Sequence, residues 1–537
     1  MKTPNARLQT GISRRRFLAN ACLTACALRT GNLFALDVLS PPNAPISPNV
    51  LTSTDTLSSA VVRTPSGILR GDTAPGVRIF RGVPFAQPPI GALRFRPPVP
   101  IDPWTGERDA THFAPAAMQA GRLPVPQSED CLYLNLWAPE GPGPFPVHVW
   151  IHGGGFVGGY PFEPTYDGAA LAREGIVCIT VAYRLGVFGF LDLEPLLGAT
   201  YAGSGNNALR DLIAALAWIQ QNVAAFGGDP TRVTIGGESA GAKLTGILMG
   251  TPSAQPLFHQ MISESGGAER VWPTAQAAGN VAIGFGDLWR AQTGEDFSSL
   301  RTAPATSLIA TQHRFMAHWP QHFPLRAEVD GTLLPRLPIH TIADGSTRGK
   351  RLLIGTNRDE SALFIGPHPA THASPAELGN LTLAEFDKIY RHYKDIYPQM
   401  TDQQRLIRAI SAEEYWIPSM RVVDAHCKDH GAAWMYRLDF AETSGWLRGY
   451  AYHSLDVGMV WDHPHTWAAN AAAEAALAMQ MHLAWAAFIR GETPAAPGLP
   501  AWPPYNRDTR STMILNTQSH VEDQPQQAEF NLWHGAL

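Results

Sequence analysis

The chain has 537 residues with 45% hydrophobic and 16% charged side chains, 49 Gly, 45 Pro and a formal net charge of −5. That composition buries a sizeable core behind many ordered loops and excludes a disordered or fibrous chain. No long basic run follows the N-terminus, which excludes a nucleic-acid footprint or an anionic-membrane patch and leaves a small molecule as the expected partner.

The N-terminus reads separately. Ser13-Arg14-Arg15-Arg16-Phe17-Leu18 followed by the mainly apolar Ala19 to Leu28 resembles a twin-arginine export signal, assigned to residues 1–35 with cleavage after Ala35. It implies passage of the folded precursor through the twin-arginine machinery to the periplasm or beyond. The apolar run is too short for a bilayer and Arg29 interrupts it, so no stable membrane span is expected. Leu23-Thr24-Ala25-Cys26 resembles a lipobox and makes an acylated Cys26 the minority alternative. Loss of the signal leaves Cys131, Cys178 and Cys427, an odd and scattered set that implies no disulfide framework. Residues 36–57 are rich in Pro, Ser, Thr and Asn and read as a linker, and one α/β domain is expected over 58–537.

Within that domain, apolar runs alternate with helical patterns. Strands are expected at Val147 to Ile151, Val177 to Ala182, Val233 to Ile235 and Leu352 to Ile354, with helices at Asn207 to Phe226, Ala240 to Met249 and Thr466 to Arg490. Repeated β-α order predicts a large, mainly parallel sheet covered by helices on both faces.

Gly237-Glu238-Ser239-Ala240-Gly241 stands between the β-branched run Val233-Thr234-Ile235 and a helix, which reads as a nucleophile elbow with Ser239 at its apex. Alone, that pattern is also a common turn. A second signal is His152-Gly153-Gly154-Gly155-Phe156 directly after a strand, an oxyanion-loop pattern whose glycines let N–H groups converge on one point. The expected donors are the backbone N–H groups of Gly154, Gly155 and Ala240.

With these residues in place the chain resembles the type-B carboxylesterase family, an α/β-hydrolase group that also holds the cholinesterases. The resemblance runs from about Val61 to Tyr505. Phe80-Arg81-Gly82-Val83-Pro84-Phe85-Ala86-Gln87-Pro88-Pro89 with Leu93-Arg94-Phe95 looks like the family's opening motif, and Ser128-Glu129-Asp130-Cys131-Leu132-Tyr133-Leu134-Asn135 like its second signature. The segments Ala182-Tyr183-Arg184-Leu185-Gly186, Gly205-Asn206 and Phe226-Gly227-Gly228-Asp229-Pro230 follow in order. The resemblance implies buried structural ion pairs, Arg94 with Glu129 and Arg184 with Asp211.

It also implies the partners of Ser239. Glu360, in Gly355-Thr356-Asn357-Arg358-Asp359-Glu360, matches the family's acid, while Asp359 is the competitor and is assigned a solvated or helix-capping role. Among 19 histidines, His453 in His453-Ser454-Leu455-Asp456-Val457 resembles the catalytic-histidine segment, and the order Ser239, Glu360, His453 is that of this fold. His313, His318 and His322 are assigned to the surface or a pocket wall, and His463-Pro464-His465 lacks matching metal-ligand spacing. Glu238 and Ser265 are supporting residues: the first either stabilises an imidazolium or serves the elbow's own hydrogen bonds, and the second matches a serine near the family's triad.

Two departures narrow the substrate. The family's disulfide to the position of Cys131 has no partner around Ala116-Ala117-Met118, and the short loop from Met118 to Asp130 contains no aromatic residue for a choline cation. The expectation is a serine carboxylic-ester hydrolase without cofactor or metal, acting through an acyl-enzyme on a soluble small-molecule ester, with xenobiotic and natural-product or toxin esters as candidates. Its alternatives are a lipase or a carbamate or amide hydrolase of the same fold, and a catalytically silent cholinesterase-like binding module. Specificity is expected in the loops Phe315 to Phe323 and Leu363 to Ser374.

Overall fold

Phe145–Ile151 and Val177–Val181 are nearly unbroken apolar runs because both of their faces are covered, the pattern of interior parallel strands. The computed structural model describes residues 59–365, 370–463 and 471–536. The export signal at 1–35, the linker at 36–57, Cys26 and the Pro464-His465 pair lie outside the described residues.

Twelve strands form a path through one large mixed sheet. In chain order they are β1 (Ser59–Thr64), β2 (Gly67–Ala74), β3 (Val77–Pro84), β4 (Tyr133–Pro139), β5 (Phe145–Ile151), β6 (Val177–Val181), β7 (Gly228–Glu238), β8 (Gln260–Glu264), β9 (Arg351–Asn357), β10 (Ala432–Leu438), β11 (Thr512–Leu515) and β12 (His520–Glu522). Their spatial order is β1-β2-β3-β4-β6-β5-β7-β8-β9-β10-β11-β12, and Glu107–Asp109 pairs with β2 off this path. The seven strands from β6 to β11 are parallel, as the β-α alternation predicts. Both flanks are antiparallel, through β1 to β4 on one side and β12 on the other, and short turns join β1 to β2, β2 to β3 and β11 to β12.

Alternate residues of each central strand serve opposite cores. Val147, Val149 and Ile151 of β5 belong to one cluster with Leu209, Leu212, Leu216 and Ile219, the apolar stripe of α1 (Asn207–Asn222). Trp150 faces the other cluster, with Leu353, Trp461, Met481 and Trp485. The helix expected over Asn207 to Phe226 ends at Asn222 and continues as a 3₁₀ turn, Val223–Phe226, closed by Gly227 at φ 84°. The elbow helix, α2 (Ala240–Met249), has the expected bounds. Of the stretch expected over Thr466 to Arg490, the described helix is α3 (Ala471–Ile489); its window Ala472–Ile489 is long and apolar enough to cross a membrane by composition, yet Met481, Ala484, Trp485 and Phe488 are buried in the protein core.

Both ion pairs implied by the resemblance form. Arg184 holds Asp211 through Nε–H to Oδ2 at 2.8 Å and Nη2–H to Oδ1 at 2.7 Å, and its Nη1–H donates to Arg96 O at 2.7 Å. This bidentate pair ties the segment after β6 to α1 in full burial. Arg94 Nε–H donates to Glu129 at 2.7 Å and Nη1–H to Ala303 O at 2.7 Å. Because Asp211→Ala leaves a buried guanidinium without its counter-charge, it should destabilise the protein by about 3 kcal/mol or more, read as a lowered urea midpoint at unchanged slope.

Candidate active site

The parallel strands end in register, so β5, β7, β8, β9 and β10 deliver their following loops to one edge of the sheet. Ser239 links β7 to α2 at φ 56° and ψ −123°, a backbone region that costs about 1–3 kcal/mol and persists where its surroundings impose it. The glycines two places either side are required by a close approach: a Cβ on Gly237 would lie 2.6 Å from Ile151 O, and one on Gly241 2.0 Å from the same oxygen. The turn is thus pressed against the end of β5. Ser239 remains partly exposed between buried neighbours, with its N–H donating to Glu264 O at 2.9 Å.

The loop after β5 lies directly on this elbow. A Cβ on Gly153 would meet Glu238 Oε2 at 2.8 Å and Ser239 Cβ at 3.1 Å. Gly154 and Gly155 both take positive φ, 110° and 61°, which turns the chain tightly enough for Val157 N–H and Gly158 N–H to donate to Gly154 O. Gly153 therefore lies against Ser239, with Gly154 and Gly155 following it in the loop and Ala240 opening α2 on the elbow's other side. The loop's far side is braced by Gln119, whose Nε2–H donates to Gly159 O and whose Oε1 accepts from Gly159 N–H, each at 2.9 Å. Cys131, Cys178 and Cys427 are free thiols, so hydrogen bonds do this bracing.

Glu360 is fixed from three sides. Its Oε1 accepts from Ser265 Oγ–H at 2.5 Å and from Asn357 N–H at 2.7 Å, and its Oε2 lies 2.6 Å from His453 Nδ1. Ser265 thus meets the acid rather than the base. Asp359 is neither solvated nor a helix cap: it accepts from Arg358 Nε–H at 2.9 Å and Ala451 N–H at 3.1 Å, which corrects its expected role and joins the acid's loop to the segment before His453.

His453 sits between two carboxylates, with Glu360 at Nδ1 and Glu238 Oε1 3.0 Å from Nε2. The hydrogen bonds among the described residues include none between His453 and the Ser239 hydroxyl; Nε2 is engaged by Glu238, one residue away from the nucleophile position. Tyr415 and Phe364 flank the imidazole, with ring centroids 4.6 and 5.1 Å distant. Burial works against the imidazolium, but Glu238 and then Glu360 outweigh it and raise His453 to about 9. Burial pushes Glu238 up to about 7 against the pull of His453 and of the Ser454 hydroxyl.

Sequence patterns did not single out the wider setting. A π-helical turn, Ala412–Trp416, aims successive side chains at different partners: Glu413 accepts from Asn380 N–H and Leu381 N–H, Glu414 pairs with Arg270 and Lys243, and Tyr415 meets His453. Such a turn follows no apolar period that reading could find. Asp456, raised to about 6 by burial and Glu360, accepts from Tyr436 Oη–H at 2.8 Å and Asn357 Nδ2–H at 3.0 Å beneath the acid loop. Phe323, in the expected specificity loop, packs on the glycine loop, 3.2 Å from where a Gly155 Cβ would sit, and the half-buried His322 ring stacks on it at 3.7 Å. Of the second such loop, residues 366–369 lie outside the described residues, and Phe364 faces His453. Among the described residues no group of three His, Cys, Asp or Glu side chains is placed to hold a metal.

A partly exposed serine in strained backbone, a carboxylate-held imidazole and a glycine-rich loop on one edge form a set suited to acyl transfer. Comparison with known proteins agrees. The model of the carboxylesterase family matches residues 58–533. A para-nitrobenzyl esterase of Bacillus subtilis is 34% identical over 88% of this chain and 97% of its own. A fumonisin B1 esterase of Sphingopyxis macrogoltabida is 40% identical over 58% of each chain. A solved carboxylesterase of Geobacillus stearothermophilus superposes with a TM-score of 0.78 at 34% identity, covering 88% of this chain and 99% of that one.

Because Glu238 is the foremost group raising His453, the low-field imidazolium resonance of the purified protein should persist well above pH 7. Glu238→Gln should move its loss to lower pH; an unchanged midpoint would contradict the arrangement described.

Proposed function

The chain belongs to the carboxylesterase family and is a serine ester hydrolase, and from the geometry of its site we propose the residues that carry the reaction and the esters it takes. Ser239 is the nucleophile, His453 its base and Glu360 the acid that holds the imidazole by Nδ1. To act, Nε2 leaves Glu238 for the Ser239 hydroxyl, a shift between adjacent residues of the elbow. Ser239 Oγ attacks the ester carbonyl as His453 takes its proton, and the carbonyl oxygen, now negative, rests on the N–H groups of Gly154, Gly155 and Ala240. The tetrahedral species expels the alcohol, which leaves with the proton from His453. Water then gives a proton to His453 and its oxygen to the acyl carbon; the second tetrahedral species breaks its bond to Ser239 Oγ, which takes the proton back from His453 as the acid is released. Glu238, whose charge favours the imidazolium, lowers the cost of both proton transfers.

The observation that carries this reading is the 2.6 Å contact of His453 with a Glu360 fixed by Ser265 and Asn357, beside a serine held in strained backbone. For the substrate, the reading is a soluble ester with a short or polar acyl group, xenobiotic or natural-product in origin. Its support is the short, non-aromatic loop from Met118 to Asp130, held to the glycine loop by Gln119, and the likeness to esterases named for para-nitrobenzyl esters and fumonisin B1. The twin-arginine-like N-terminus supports an exported, periplasmic or secreted enzyme, with lipidation at Cys26 as the alternative; mass spectrometry of the mature N-terminus separates the two.

Ser239→Ala should fold with an unchanged circular-dichroism spectrum, lose at least about a thousandfold in kcat and no longer react with a fluorophosphonate probe. Turnover near wild type would overturn the assignment. Across p-nitrophenyl esters of increasing chain length, kcat/KM should peak at short acyl groups without activation by emulsion, whereas interfacial activation on long chains would favour a lipase.

A further inference from the structure

The residue after the base has an unusual conformation for its type. Ser454 takes φ 66° and ψ 9°, left-handed backbone that a side chain other than Gly, Asn or Asp seldom adopts. Its hydroxyl donates to Glu238 Oε1 at 2.5 Å, and that same oxygen lies 3.0 Å from His453 Nε2. The strain at Ser454 therefore coincides with a bond that crosses from the histidine loop to the elbow, 216 residues away in sequence. Glu238 Oε2 is confined on its other side by Gly153.

We propose that Ser454 is a positioning residue for ester hydrolysis: its hydroxyl pins the Glu238 carboxylate beside the His453 ring, so that the imidazolium formed at each proton transfer keeps its counter-charge close by after Nε2 has turned to Ser239. The inference rests on the reading of His453 as the base. The other charged or titratable groups facing this pair are Glu360 at Nδ1, Asp456 on the helix that follows His453, Glu264 on β8, Tyr415 on the π-helical turn and Tyr166 from the segment after the glycine loop. None of them is bonded to Glu238 Oε1 as Ser454 is. Without the pin the carboxylate is free to turn from Nε2, and the imidazolium loses part of its support.

The test is the pH dependence of kcat/KM on p-nitrophenyl butyrate. Ser454→Ala and Ser454→Gly should both move the acid limb to lower pH, in the direction of Glu238→Gln, by about half a pH unit, or about threefold in relative rate below the limb. Ser454→Gly relieves the left-handed strain and should match or exceed the wild-type Tm, which separates positioning from folding. Ser454→Asn, which tolerates this backbone and keeps a donor, should restore the limb at least in part. In a Glu238→Gln background, Ser454→Ala should add no shift. An acid limb that stays in place, moves upward, or shifts equally in the Glu238→Gln background would overturn the proposal while leaving Ser239, His453 and Glu360 untouched; loss of the serine-hydrolase reading itself would instead show as an active Ser239→Ala.

Discussion

One close approach sets the rest of this site: the elbow at Ser239 is pressed against the carbonyl of Ile151 at the end of the neighbouring strand. Glycines at 237 and 241 are the only side chains that fit there, since a methyl on either would overlap that oxygen. The contact holds the strained backbone of Ser239 and seats the following glycine loop on Ser239 and Glu238. Ser239 and the glycine loop therefore share one platform, built on the ends of two adjacent parallel strands.

Around that platform charge is distributed unevenly. Arg184 with Asp211, and Arg270 and Lys243 with Glu414, are buried ions matched by direct partners, the condition under which burial is tolerated. The edge around His453 is different: Glu238, Glu360 and Asp456 are all buried near a single imidazole, and the buried Glu264 lies near Glu238 and Asp456. Burial pushes Glu238, Glu264 and Asp456 towards the neutral acid, while His453 is pushed towards the cation. Such a region favours a positive charge whenever one forms, and in acyl transfer one forms on the base at each step.

What the sequence made legible was chiefly local. The elbow, the glycine loop and the bounds of α2 follow from a few adjacent residues whose backbone demands are specific, and the parallel centre of the sheet follows from β-α alternation. Resemblance to a family carried Glu360 and His453, because nothing in their spacing alone singles them out among many carboxylates and histidines. The π-helical turn at 412–416, the Asp359 link to Ala451 and the bond from Ser454 to Glu238 were not legible. Each joins segments distant in the chain, and each uses residue types that are equally common on a solvated surface.

The brace between Gln119 and Gly159 closes the rim of the site with hydrogen bonds where related proteins are expected to use a covalent staple. Its formation needs no oxidant and no isomerase, and it breaks and re-forms freely as the chain folds. The rim can accordingly reach its working shape in a reducing compartment as readily as in an oxidising one, because no redox step stands between the folded chain and the finished site.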